Sequence, residues 1–292
     1  MRHVYECPLR WADLDQLGHV NNVTYVDYLQ EARVDLLRSH ARRDPGEALT
    51  EGVVVVRHEV TYLTPLTFRF RPVKIECWVT EIRAATFTMA YEVFHDDGPD
   101  GERTVYLRAL TVLSPFLFAT EQPRRLTEEE KTTLAAYLEP APRARPDRFA
   151  VDRATAHHYP VHVRFSDVDV YGHVNNVLYF TYLQEARVRW FAEVNRGLET
   201  AGPQFVIAQT DVDYRAPLLF RPEPYDLYTR LARLGTRSFS VESEICDGER
   251  VLARARVAMV FFDLESGRSR EPDPAVRERL EARLERDAVT SG

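Results

Sequence analysis

The chain has 292 residues, a length that predicts two domains of ordinary size. Its composition, 45% hydrophobic and 28% charged, is that of a globular protein and excludes a disordered or collagen-like chain. The net charge of −7, with basic residues dispersed among acidic ones, argues against a general nucleic-acid binder, which needs a basic stripe.

No run approaches the roughly 18 apolar residues of a membrane span. The opening MRHVYECPLRWADLD lacks the apolar core of a signal peptide, so the expectation is a cytoplasmic protein with no membrane partner. Cys7, Cys77 and Cys246 are scattered and odd in number. They fit neither a disulfide framework nor a zinc site and read as packing residues.

In chain order, the first predicted element is a short strand at about Val4 to Trp11. It leads into a DxD…GHVNN loop and then a helix over Val23 to Ser39, with Tyr25, Leu29, Ala32 and Leu36 at helical spacing. Val26 and Tyr28 fall off that stripe, which predicts a helix wrapped by other structure. Four strand-like runs follow: GVVVVRHEVTYL, VKIECWVTEI, TFTMAYEVFH and RTVYLRALTVLSPF. A helical pattern, LTEEEKTTLAAYL, opens on Thr127 with Glu130 three residues later, the spacing of a capping box. EPAPRARPDR, from Glu139 to Arg148, then carries three prolines and reads as a semi-rigid linker.

Beyond it the order repeats. A strand at about Tyr159 to Phe165 precedes a second DxD…GHVNN loop and a helix over Val177 to Asn195. Tyr179, Leu183, Ala186 and Trp190 form its stripe, with Phe180 and Tyr182 beside it. The strands are QFVIAQTDVDYR, PYDLYTRLARL, RSFSVESEIC and RVLARARVAMVFF. Aligned from Arg10 and Arg164, twenty-four positions agree at sixteen. Val60 to Leu66 likewise matches Val212 to Leu218, and Phe68-Arg69 matches Phe220-Arg221. A repeat of this length is a duplicated domain, not a solenoid unit. The expected division is an N-terminal domain at 1–139, a linker at 140–156 and a C-terminal domain at 157–292. Each is an α+β unit with an antiparallel sheet curled around one helix, and edge-to-edge pairing would cover the open strands.

The segment R-W-x-D-x-D-x-x-G-H-V-N-N-x-x-Y-x-x-Y-x-x-E-A-R resembles the signature of hotdog-fold thioesterases. It is similar to the 4-hydroxybenzoyl-CoA thioesterase family, to bacterial long-chain acyl-CoA thioesterases and to plant acyl-ACP thioesterases. The resemblance implies a tandem hotdog chain, paired as a pseudo-dimer, that hydrolyses acyl-CoA to a free acid and CoA without a cofactor. By the same resemblance Asp15 and Asp169 are the catalytic carboxylates, acting as general base on water or as nucleophile. Amides near Asn22 and Asn176 would hold the oxyanion, where a helix start presents unpaired N–H groups. Asn21 and Asn175 are suited to capping that start, and Gly18 and Gly172 to the tight turn before it.

His19 and His173 stand four residues beyond each Asp, either as catalytic partners or as supports of the loop. In the plant enzymes an Asn follows the Asp by two residues; here Leu17 and Tyr171 stand there. Related bacterial enzymes carry a histidine where Asn22 and Asn176 stand. Asp13 and Asp167 read as loop-capping residues, the four helix tyrosines as core or pocket wall, and Glu31 and Glu185 as structural. His157, His158 and His162 lack the acidic or cysteine partners of a metal site, so no metal is expected. Arg69 and Arg221 are candidate contacts for CoA phosphates. Acyl-ACP is the alternative substrate, and a hotdog hydratase or a non-catalytic acyl-CoA-binding protein are alternatives of other classes. Two motifs predict two sites per chain, near the seam between the units, and a homo-oligomer of double units is compatible with them.

Overall fold

A computed structural model describes residues 1–40, 51–98, 101–143, 147–198, 205–263 and 265–288. The eight long alternating runs form strands whose bounds lie within one or two residues of the sequence reading. The opening strand of each unit ends four residues earlier than expected, at Cys7 and Val161, because Trp11 and Phe165 begin 3-10 turns. In the first unit the strands are β1 (His3–Cys7), β2 (Glu51–Tyr62), β3 (Val73–Ile82), β4 (Phe87–Asp96), β5 (Arg103–Leu117) and the short β6 (Gln122–Pro123). All pair antiparallel in the order β1-β3-β4-β5-β2, with β6 on β5. The helix α1 (Thr24–His40) packs on β1 and β3. A shorter helix, α2 (Glu128–Ala135), packs on β3 and opens with the predicted capping box, Thr127 and Glu130 each accepting from the other's backbone N–H.

The second unit repeats that order. Its strands are β7 (His157–Val161), β8 (Phe205–Tyr214), β9 (Tyr225–Leu234), β10 (Ser238–Asp247), β11 (Arg250–Asp263) and the short β12 (Arg268–Ser269). They run β7-β9-β10-β11-β8, with β12 on β11. The helix α3 (Leu178–Val194) packs on β7 and β9. A 15-residue helix, α4 (Pro274–Ala288), packs on β9 and α3. The chain divides into compact units at Met1–Arg145 and Pro146–Gly292, within the proline-rich stretch.

Each long helix is buried on most of its circumference, as its off-stripe apolar residues require. Tyr25, Val26, Tyr28, Leu29, Ala32 and Leu36 are all buried in α1. Tyr179, Phe180, Tyr182, Leu183, Ala186 and Trp190 are buried in α3. Burying a side chain such as Leu29 contributes about 1.5–3 kcal/mol, so these helices owe their stability to the sheet more than to propensity. The EAR triplets divide differently from expectation: Glu31 and Glu185 are exposed, whereas Arg33 and Arg187 are buried. Among the described residues no helix is long and apolar enough to cross a membrane.

Candidate active site

Each repeated DxD…GHVNN loop begins with a 3-10 turn, Trp11–Asp13 in the first unit and Phe165–Asp167 in the second. The Asp that ends the turn is buried and bolts it to the helix. Asp13 accepts from the Arg10 N–H at 2.8 Å, the Arg10 guanidinium at 2.9 Å and the Tyr28 hydroxyl at 2.5 Å. Asp167 accepts from the Arg164 N–H at 2.9 Å and the Tyr182 hydroxyl at 2.6 Å. These aspartates are loop caps, as their residue type suggested. Burial, foremost, and the adjacent carboxylate keep both tyrosine hydroxyls protonated, with pKa values well above the ordinary phenol range.

Two residues later the chain closes a five-residue ring. The Asp15 N–H donates to the His19 carbonyl at 2.8 Å, and the Gly18 N–H donates to the Asp15 carbonyl at 3.0 Å. The Asp15 side chain accepts from the Leu17 N–H at 2.8 Å and the His19 N–H at 3.3 Å, both at Oδ1. The second unit matches: Asp169 N–H to the His173 carbonyl at 2.8 Å, Gly172 N–H to the Asp169 carbonyl at 3.0 Å, and Tyr171 N–H to Asp169 Oδ1 at 2.9 Å. Asp15, Asp169, His19 and His173 are all half-buried. The ring needs φ of +73° at Gly18 and +81° at Gly172, the left-handed region where a side chain is strained. A Cβ at either position meets no atom within 4 Å. Gly18→Ala and Gly172→Ala therefore each cost backbone strain alone, roughly 1–2 kcal/mol, which urea denaturation of the two variants measures.

The ring is then tied to the strand ends. The Val20 N–H donates to the Leu66 carbonyl at 2.8 Å, and the Val174 N–H to the Leu218 carbonyl at 2.9 Å. Asn21 N–H reaches back to the Asp13 carbonyl at 2.8 Å, and Asn175 N–H to the Asp167 carbonyl at 2.9 Å. Asn21 and Asn175 do not cap the helices by the usual bond to the N2 or N3 amide. Their Oδ1 atoms accept from Val23 N–H (2.9 Å) and Val177 N–H (3.0 Å), two residues on, in an Asx turn that precedes the helix. The α3 N-cap is Val177, already helical in its dihedrals and without a side-chain cap. Tyrosines from the ends of β2 and β8 grip the same point: Tyr62 donates to the Asn22 carbonyl at 2.9 Å and Tyr214 to the Asn176 carbonyl at 2.8 Å. Sequence reasoning singled out neither tyrosine, although both stand in the matched Val60–Tyr62 and Val212–Tyr214 segments.

Asp15, Gly18, His19 and Asn22 are thus assembled in the first unit, and Asp169, Gly172, His173 and Asn176 in the second. Arg69 and Arg221, the candidate phosphate contacts, are both ion-paired. Arg69 is paired with Asp97, as is Arg71, and Arg221 with Asp247 at 2.9 Å, so each is held by a carboxylate of its own unit. The histidine cluster diverges, with His157 paired to Glu193 at 3.0 Å and His158 to Asp226 at 2.7 Å. Among the described residues no group of His, Cys, Asp or Glu is arranged to hold a metal ion.

The family model of the thioesterase-like superfamily matches residues 9–133 and 163–280, one match per unit. The long-chain acyl-CoA thioesterase FadM of Escherichia coli is 28% identical over 128 residues, covering 41% of this chain and 94% of its own. Among solved structures, a Lactobacillus plantarum protein described as an oleoyl thioesterase superposes with a TM-score of 0.73 at 15% identity, covering 90% of this chain and 97% of that one. The 12:0-ACP thioesterase of Umbellularia californica superposes with a TM-score of 0.68 at 18% identity, covering 89% and 96%. The matched segments include both aspartate rings, and the likeness in fold spans both units: the chain belongs to the thioesterase-like superfamily and is a thioester hydrolase built from two hotdog domains.

Proposed function

We propose that the chain hydrolyses acyl-CoA to a free carboxylic acid and CoA, with Asp15 and Asp169 as the reacting carboxylates. The observation that carries this reading is the same Asp-Gly-His ring, built twice and tied each time to the entrance of the central helix. The Leu17, His19 and Tyr171 amide bonds fall on Oδ1, which fixes the carboxylate by one oxygen and supports the other as the reacting atom. That oxygen takes a proton from water as the water attacks the thioester carbonyl and the C–S bond breaks to release CoA thiolate. Alternatively it attacks the carbonyl itself, expelling the thiolate and forming an acyl-aspartyl anhydride that water then hydrolyses to free acid and carboxylate. The resemblance of this chain to FadM, whose name assigns it long-chain acyl-CoA, supports acyl-CoA as substrate.

The amides of Val23, Thr24 and Val26 already donate within the loop and first turn, as do those of Val177, Leu178 and Phe180. This supports assigning the oxyanion to the preceding N–H groups, of Asn22 and of Asn176. His19 and His173 each accept the Asp N–H at their backbone carbonyl, His19 also donates its N–H to Asp15 Oδ1, and in this reading they position the carboxylate.

The test is release of free thiol from a saturated acyl-CoA series, followed with DTNB. The protein's own thiols do not interfere: all three are buried, and burial pushes Cys7 and Cys77 up to about 12 and Cys246 up to about 11. The folded protein is expected to give no colour alone and three thiols per chain in denaturant. Thiol release from acyl-CoA supports the reading. Release from acyl-ACP alone moves the substrate to the carrier protein, and no release from either thioester overturns it.

A further inference from the structure

The second unit holds a solvent-open cleft of about 270 Å3 between α3 and α4, apart from the aspartate ring, with Arg279, Ala282, Arg286 and Glu193 exposed at its mouth. Its α4 wall is Arg279, Ala282, Arg283 and Arg286, spaced i, i+3, i+4 and i+7, which is one helix face. Its α3 wall is Trp190, Glu193 and Val194, again one face, and His157 of β7 closes one side. Small Ala282 among three arginines leaves the room.

The charge of this lining is unbalanced. Arg283 is matched by Asp287 at 3.0 Å and also donates to the Thr155 carbonyl. Glu193 hydrogen-bonds His157, whose ring burial holds toward the neutral form, so Glu193 is not neutralised and three lining arginines face the two carboxylates Glu193 and Asp287. Arg279 and Arg286 form no ion pair among the described residues, and three like charges on one helix face oppose helix formation. Arg286 lies in the last turn of α4, where the helix dipole favours a cation, and Arg279 lies two turns earlier on the same face, both side chains exposed. Two lining residues also carry buried polar atoms without a partner, Trp190 Nε1 and His157 Nδ1. Trp190 itself is fully buried. The first unit has no counterpart of the basic wall, because its α2 is eight residues long and lacks arginine.

We propose that this cleft is a binding site for a small carboxylate with an apolar body, its anion held by Arg279 and Arg286 and its body against Val194 and Ala282, over the buried Trp190. The volume equals about nine waters at ~30 Å3 each, enough for a benzoate-sized molecule. The charge calls for an anion, and the apolar walls separate an arene or alkyl carboxylate from inorganic phosphate.

Benzoate titrated into the full-length chain tests this, with the indole N–H resonance of Trp190 as readout, assigned through Trp11→Phe and Trp78→Phe. The expected result is a saturable shift of that resonance, weakened about tenfold or more (~1.4 kcal/mol) in R279Q/R286Q. A282F, which fills the space without changing charge, is expected to abolish it. Thioester hydrolysis by both variants, expected at the wild-type rate, confirms that they fold. No shift in the wild type, an undiminished shift in R279Q/R286Q, or equal binding of inorganic phosphate and methyl benzoate overturns the proposal.

Discussion

An Asp15→Asn/Asp169→Asn double variant is expected to lose thioester hydrolysis by about 10^2–10^4-fold, the usual contribution of a positioned base or nucleophile. Asparagine is chosen because its Oδ1 keeps the acceptor that Leu17, His19 and Tyr171 N–H groups use. The ring therefore stays closed, and what is removed is a negative charge able to take a proton or attack a carbonyl. A loss in this variant reports on chemistry, not on loop collapse, and unchanged urea denaturation checks that point. Steady-state rates of the two single variants then divide the activity between the units. Equal halves mean that both sites turn over; a near-complete loss in one means that the other contributes little. The two rings differ beside the aspartate, Leu17 against Tyr171, which is where an imbalance would arise. Retention of most of the wild-type rate by the double variant would remove the carboxylates from the mechanism.

The fold was legible because the strands and central helices carry their periodicity openly. The runs VKIECWVTEI and RTVYLRALTVLSPF became β3 and β5 almost residue for residue. The helix α4 went unread, although Asp273 followed by Pro274 is a helix-start signal and the Asp273 side chain does accept from the Ala275 N–H. Its apolar positions, Val276 and Leu280, are few and its arginines many, so it looks like a solvated tail until Trp190 and Leu231 are seen packing against it. Of the site, the ring residues were legible as a motif, but their hydrogen bonds were not. A sequence shows that Asp13 and Tyr28 are 15 positions apart; only the turn and helix together show that they touch. The partners of Arg69 and Arg221 were likewise not legible along the chain: each pairs with an aspartate 28 or 26 residues away, brought close by a hairpin.

Removing the buried carboxylate of that pair should be among the most damaging single changes outside the reacting groups. Asp13→Ala leaves the Tyr28 hydroxyl and the Arg10 N–H without their acceptor in a site where Asp13 is 3% exposed. An orphaned buried donor costs about 1–3 kcal/mol. The Tyr28 hydroxyl is buried and the Arg10 N–H only partly so, and with the smaller second cost the predicted loss is roughly 2–4 kcal/mol. Tyr28→Phe should cost less, about 1–2 kcal/mol, because Asp13 keeps both bonds from Arg10. The double variant separates a shared interaction from two independent ones. If the hydroxyl–carboxylate bond dominates, Asp13→Ala/Tyr28→Phe is no less stable than Asp13→Ala alone. Urea denaturation of the three variants gives the cycle. Hydrolysis should fall together with stability, since the Asp13 carbonyl holds Asn21 N–H and so sets where the helix entrance stands relative to Asp15. A fully active, fully stable Asp13→Ala would mean that the turn holds without its bolt. The rigidity of the ring would then have to come from the strand-end contacts at Leu66 and Tyr62.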